Sequence, residues 1–360
     1  MFEINFYLLT MNLDIYEIVL AFITSFALTF LAIPSIIRVA LKKNLGDIPN
    51  ERTSHTNTTP SLGGIAIFAG TLFSILMWTP YVYFSKLQFI LCAFIIIFLI
   101  GAKDDIDPIA PKTKFLGQLF AAAILVFRAN IKLTSLYGIF GVTEIPEYFS
   151  VILTIFTIKV IINAFNLIDG INGLSGSVGV LISAILGTWF LMVGKTELAV
   201  MSFALIGALI AFLKYNFTLA NFFMGDTGSL LLGLIISILT IQFIELHNDL
   251  GDSPYYFKAA PSLAVAILIL PLFDTLRVFI LRLMEGKSPF HPDRKHIHHV
   301  LIDLGLTHMK ATGLLFGINI LFIALAAMLQ NVGNFILLTI MLVLALVLSN
   351  IATKMVKRKA

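Results

Sequence analysis

Three carboxylates, Asp104, Asp105 and Asp107, stand where an uncharged run of Ile, Phe and Leu over residues 87–101 stops. Acids this close resist ionising together unless a cation answers them. The stretch GAKDDIDPIAPKTK at 101–114 offers Lys103, Lys112 and Lys114 for that, and a bound metal is the other candidate. A solvated loop cap would carry similar residues, and one acidic pair does not decide between the readings.

Further polar stretches end other apolar runs. NAFNLIDGINGLSG at 163–176 places Asn163, Asn166, Asp169 and Asn172 at every third position. On a helix that spacing would align them along one face. Gly170, Gly173 and Gly176 argue against a stable helix there and let backbone approach a ligand closely. In FFMGDTGS at 222–229, Asp226 lies between glycines just before a new apolar run. A helix N-cap explains such an Asp locally. The same position attracts phosphate, because free N–H groups and the helix dipole both favour an anion. Phe222 and Phe223 read as core or lipid-facing rings, or as a ring that stacks on a base.

Five of the seven histidines, His291, His296, His298, His299 and His308, fall within 285–308, beside Arg294 and Lys295. Such a cluster suggests zinc. No cysteine joins it, however, and on a helix His296, His298 and His299 would point to different sides. Basic residues among histidines suit a pyrophosphate better. The loop at 47–64 is polar, with Arg52 and His55 ahead of the Gly63-Gly64 pair.

The elements that must position these residues are membrane spans. The 360-residue chain is 59% hydrophobic and 12% charged, with mean hydropathy +0.98. Soluble domains carry about 25% charged residues. A span needs about 20 apolar residues, and eleven runs approach that: 14–37, 63–84, 87–103, 114–130, 149–168, 174–193, 197–215, 227–246, 260–283, 311–329 and 333–352. The first Lys or Arg is Arg38, so the first run is not expected to be a cleavable signal peptide. Cys92 is the only cysteine, which excludes an internal disulfide and a thiolate metal cluster. With the N-terminus outside, inner segments hold 18 Lys and Arg and outer segments 5. The positive-inside rule thus predicts N-out, C-in, with every polar stretch on the cytoplasmic face. A transporter would instead gather polar residues near the bilayer midplane, where only Lys159 lies well inside a run.

Together and in this order, the acidic pair with its trailing Lys114, NAFNLIDG, MGDTGS and HIHH resemble the polyprenyl-phosphate N-acetylhexosamine-1-phosphate transferase family. The resemblance runs from the first inner loop to HIHH. HIHH preceded by PDRK resembles the branch using UDP-N-acetylglucosamine or a related UDP-sugar. The phospho-MurNAc-pentapeptide branch, the alternative, usually shows three consecutive histidines.

The resemblance implies transfer of a sugar 1-phosphate from the UDP-sugar to undecaprenyl phosphate, with Mg²⁺ or Mn²⁺, on the inner side of a bacterial cytoplasmic membrane. It implies that Asp226 and Asn166 hold the metal, that Asp169 lies on the nucleotide side and that Phe223 stacks on uracil. Lys114, Arg294, His296, His298 and His299 would neutralise phosphates and position the sugar phosphate. Asp104 or Asp105 would act as base or orient Lys114. Asn163, Asn172, Arg52 and His55 would line the substrates. The family often has Asp where this chain has Asn172, and an amide there can still accept a hydrogen bond. The expected fold is therefore one all-α integral-membrane domain over 1–360, with about eleven spans. Its partners would be the UDP-sugar, undecaprenyl phosphate and the bilayer. A homodimer is admissible and no nucleic acid is expected.

Overall fold

The computed structural model describes residues 2–43, 45, 59–217, 222–251, 253–288 and 294–359. Arg52, His55 and His291 lie outside the described residues. The chain is a polytopic membrane protein built from helices: α1 (Phe2–Lys42), α2 (Gly63–Trp78), α3 (Phe84–Ile106), α4 (Pro111–Phe127), α5 (Glu147–Ile168), α6 (Leu174–Met192), α7 (Thr196–Phe217), α8 (Gly225–Leu246), α9 (Ala260–Ile267), α10 (Ile269–Met284), α11 (Ile297–Asp303), α12 (His308–Met328) and α13 (Asn334–Lys359).

Each of the eleven apolar runs falls on helix. Among the described residues eight helices are long and apolar enough to cross a membrane, and α9 with α10 makes a ninth if that pair, bent by 78°, is one span. Two runs give shorter helices, α2 with 16 residues and α4 with 17. The run at 63–84 breaks because Pro80 cannot continue the helix that ends at Trp78. The all-α expectation needs one correction. Between α4 and α5 a hairpin pairs β1 (Ser135–Ile139) with β2 (Val142–Glu144). Gly138 and Gly141 adopt positive φ there, which lets the short link through Phe140 turn back on itself.

Helices α7 and α8 are buried on all sides, with 83% of the span inside the protein. An apolar helix buried all round forms the centre of a bundle. Around it, α1 and α13 turn Leu31, Val39, Val343 and Ile351 outward, as lipid permits. The break at Leu268 would strand backbone carbonyls in a dry interior. Buried Asn319 of α12 donates to the Ile267 carbonyl at 3.1 Å and satisfies one of them. The bend delivers α10 to the histidine stretch.

Candidate active site

The start of α8 is where the polar stretches meet. A helix opens with N–H groups that lack intrahelical partners, and here they are satisfied from another helix. The Asp226 N–H donates to Asp105 Oδ1 at 2.6 Å and the Thr227 N–H to Oδ2 at 3.0 Å. The Thr227 hydroxyl donates to Oδ2 at 2.5 Å. Asp105 of α3 thus caps α8 in trans. The local N-cap reading of Asp226 is corrected by this geometry, since Asp226 is the second residue of α8 and its carboxylate is left for other partners. Glycines allow the approach. A Cβ on Gly225 would lie 2.0 Å from the Ser61 carbonyl, and one on Gly101 would lie 2.4 Å from the Thr227 Cα. The end of the first polar loop is fastened here too, because Phe223 N–H donates to Pro60 O at 2.9 Å and Gly64 N–H to Met224 O at 2.8 Å. These bonds fix the backbone of Phe223, which is half-buried.

Asp226 is shared by two stretches. Lys114 donates to its Oδ2, and Asn166 Nδ2 donates to its Oδ1 at 2.6 Å and to Ser229 Oγ at 2.9 Å. Lys114 also reaches Asp104 Oδ2 at 3.1 Å, while Ile109 N–H holds Asp104 Oδ1 at 2.8 Å. The three acids of the first stretch therefore separate. Asp104 orients a lysine, Asp105 caps a helix, and Asp107 pairs with exposed Lys103, a contact worth little.

The every-third-residue pattern does not form one face. Helix α5 ends at Ile168, Asp169 follows it, and Gly173 at φ +75° opens α6. Asn163 sits a turn deeper than Asn166, its amide donating to Gln118 Oε1 at 3.1 Å and to the Lys159 carbonyl at 2.7 Å. Asn172 lies in the turn, where its backbone carbonyl accepts from Thr312 Oγ1 at 2.9 Å. Gly176, expected to oppose helix, lies inside α6, where a Cβ would meet Leu213 of α7 at 2.8 Å. Buried Asn216, which sequence reasoning missed, ties two stretches together. It accepts from Gly173 N–H at 2.5 Å and donates to Phe222 O at 2.9 Å. An Asn at the end of an apolar run gives no signal of that bridge.

Asp169 accepts from the Ser175 hydroxyl, yet burial pushes its carboxyl up to about 7, with Asp226 and Asp105 adding repulsion. An acid whose pKa is raised by folding contributes stability at low pH that is lost as pH rises through the folded value. In chelated, substrate-free protein, Asp169→Asn should therefore raise the melting midpoint over wild type more at about pH 8.5 than at about pH 5.5. An equal difference at both pH values would reject a titrating, buried Asp169.

The histidines converge more than helical spacing alone allows, because His296 precedes α11 and only His298 and His299 lie on it. His296 Nδ1 donates to Asp274 Oδ2 at 2.8 Å, and Ile297 N–H donates to Asp274 Oδ1 at 2.8 Å. Asp274 of α10 is fully buried and was missed. An acid inside the run at 260–283 was the available signal, so the expectation that only Lys159 lies well inside a run is corrected here. Arg277, one turn on, donates to Lys295 O at 2.6 Å and holds the same stretch. The His298 ring stacks 5.6 Å from that of His296 and presses on the turn after Asp169, where a Cβ on Gly170 would lie 2.3 Å from Nε2. Burial pushes His298 down to about 3, so its ring is neutral at pH 7 and the expected phosphate-neutralising role does not extend to it. Burial, then Arg294 and His296, lowers His299 as well. Arg294 itself is exposed.

Among the described residues no three His, Cys, Asp or Glu side chains are grouped to hold a metal by themselves. Zinc fits this poorly. Mg²⁺ fits it, since it accepts one or two carboxylates and takes remaining ligands from water and phosphates. Asp226 offers a carboxylate, and both bonds made by Asn166 use its nitrogen, so its carbonyl oxygen takes part in neither. Asp104 and Asp226 share Lys114, and Asp105 and Asp169 add repulsion beside them, an excess of negative charge that a cation would relieve.

The sequence profile described as glycosyl transferase family 4 matches residues 87–244. The chain is 33% identical over 340 residues to the probable undecaprenyl-phosphate N-acetylglucosaminyl 1-phosphate transferase of Bacillus subtilis, covering 93% of this chain and 91% of that one. It is 33% identical over 301 residues to the undecaprenyl-phosphate alpha-N-acetylglucosaminyl 1-phosphate transferase of Escherichia coli K12, covering 82% and 77%. It is 30% identical over 321 residues to the decaprenyl-phosphate N-acetylglucosaminephosphotransferase of Mycolicibacterium smegmatis, covering 83% and 79%.

Proposed function

The chain belongs to glycosyl transferase family 4, and from that premise we propose that it transfers N-acetylglucosamine 1-phosphate from a UDP-sugar to undecaprenyl phosphate, releasing UMP. The observation that carries the reading is Asp226, held by Lys114 from the acidic stretch and by Asn166 from NAFNLIDG while Asp105 caps its helix. The lipid-linked sugar pyrophosphate would start an envelope polysaccharide. The enzyme works at the inner face of the bacterial cytoplasmic membrane, with eleven spans, the N-terminus outside and the C-terminus inside.

Phosphoryl transfer is mostly positioning and charge neutralisation. Asp226 and the Asn166 carbonyl would hold Mg²⁺ or Mn²⁺, which when bound neutralises charge on the donor pyrophosphate. Lys114, oriented by Asp104, meets phosphate oxygens. Phe223, fixed through its backbone, takes the uracil face, with Asp169 near the nucleotide. His296, aligned by Asp274, and Arg294 face the transferring group. A phosphate monoester has its second pKa near about 6 and is largely dianionic at pH 7. No base is therefore required to activate the acceptor, and Asp104 serves as the residue that orients Lys114.

Purified protein given Mg²⁺ and undecaprenyl phosphate should release UMP and form lipid product from UDP-N-acetylglucosamine, and far less from UDP-MurNAc-pentapeptide. Product from the pentapeptide donor alone would favour the peptidoglycan branch. Solute flux into vesicles without UMP would favour a transporter. Orientation is tested separately. In a Cys92→Ala background, Asp107→Cys and Arg294→Cys, both at exposed positions, should take an impermeant label only from the cytoplasmic side. Label from outside at either position would overturn the single-face site.

A further inference from the structure

Among the described residues, Lys159 is a charged residue well inside a span that this reading leaves unused. It lies on α5 seven residues before Asn166, about 10 Å deeper along the helix axis. Its ammonium lies over the Phe115 ring of α4, 2.6 Å from the centroid, and makes no hydrogen bond among the described residues. A lysine that merely snorkels to the interface could look the same. Its neighbours argue otherwise. Gln118, one turn along α4 from Lys114, is 2% exposed, and its Nε2 also lacks a partner. The Gln118 Oε1 and the Lys159 carbonyl are both taken by Asn163 Nδ2. The seam between α4 and α5 therefore holds two unanswered donors, one of them cationic, and no carboxylate among the described residues bonds to either. Burying donors without an acceptor costs free energy, and an anion would relieve both at once. The seam also borders lipid, since Phe115, Leu116, Ile152 and Phe156 are all more than half exposed. An anion arriving from that side is the head of a lipid.

We propose that Lys159, Gln118 and Asn163 form a holding site for the phosphate monoester of the polyprenyl acceptor, which then moves along the seam to Lys114 and Asn166. The helical spacing supports the path, as Asn166 follows Asn163 by three residues and Lys114 precedes Gln118 by four, which keeps each pair on one face. The inference rests on the transferase reading for the identity of the lipid.

Two variants test it in full-length protein in nanodiscs of zwitterionic lipid. Lys159→Met removes the charge. Gln118→Glu keeps an acceptor for Asn163 but replaces the free donor with an anion beside Lys159. Binding of undecaprenyl phosphate, without sugar donor, should weaken about tenfold or more in each, about 1.4 kcal/mol. The KM for undecaprenyl phosphate should rise similarly, and the KM for the UDP-sugar less than about twofold. Thermal stability should hold or increase, because each change relieves a buried unpaired group. Unchanged lipid binding in both variants would reduce Lys159 to a snorkelling residue and overturn the proposal. Phosphatidic acid or inorganic phosphate binding as tightly as undecaprenyl phosphate, with the same loss on mutation, would also overturn it, as the site would be a general one. Because binding is read without donor, wild-type protein that binds but never releases UMP refutes the transferase reading and leaves the site standing.

Discussion

Asp226→Asn is expected to lower turnover by about 10³-fold, roughly 4 kcal/mol of barrier, with little change in melting midpoint. The side chain keeps its shape but loses its charge. Lys114 and Asn166 Nδ2 both donate to this carboxylate, one to each oxygen. An amide has one acceptor oxygen, so one of the two donors would face an NH₂. If the residue were only a cap, Asn would serve almost as well, but Asp105 already caps α8. The residual activity should need more Mg²⁺ for half-saturation, because the carboxylate offered to the cation is gone. UMP release measured across a Mg²⁺ titration reads both effects. Full activity in Asp226→Asn would reject the metal role.

How far the sequence foretold this geometry depends on whether a contact is local. Apolar runs fix where helices lie, because length and hydropathy are properties of the chain itself, and each run does fall on helix. Asp226 stood out for the same reason, as an acid between glycines at the start of a run. What could not be read is who answers whom. Asp104 and Asp105 are neighbours in sequence, yet one orients Lys114 and the other caps a helix 120 residues away. Local rules assigned that cap to Asp226 itself. The asparagine pattern misled in a related way, since a three-residue spacing means one face only while the helix continues, and α5 stops at Ile168. The seven residues of α11 shift His296 off the helix that carries His298, so spacing along the sequence overstated their separation. Asn216 and Asp274 gain their roles only through tertiary contacts, and of the two only the acid in an apolar run carried a warning.

Asp274→Asn is the second large effect expected, a loss of about 10²- to 10³-fold in turnover from a residue behind the reacting groups. The carboxylate accepts from His296 Nδ1 on one oxygen and from the Ile297 N–H on the other. It therefore fixes the proton on Nδ1, sets the plane of the ring and anchors the first turn of α11. With Asn, the single carbonyl oxygen can serve either partner. If it keeps Ile297, its NH₂ faces Nδ1 and favours the tautomer with the proton on Nε2, the wrong one for the ring edge that Asp274 leaves free. In a serine protease the same exchange behind the catalytic histidine costs about 10⁴-fold through tautomer choice. The smaller figure expected here reflects a histidine that positions phosphate instead of taking a proton from a nucleophile. Asp274→Ala should do further damage, because it also leaves the part-buried Ile297 N–H unpaired and should lower the melting midpoint. The decisive comparison is His296→Ala with the double variant Asp274→Asn/His296→Ala. If Asp274 acts through His296, the second substitution should add less than about threefold to the loss from His296→Ala alone. Losses that multiply would mean that Asp274 serves the bundle and not the site.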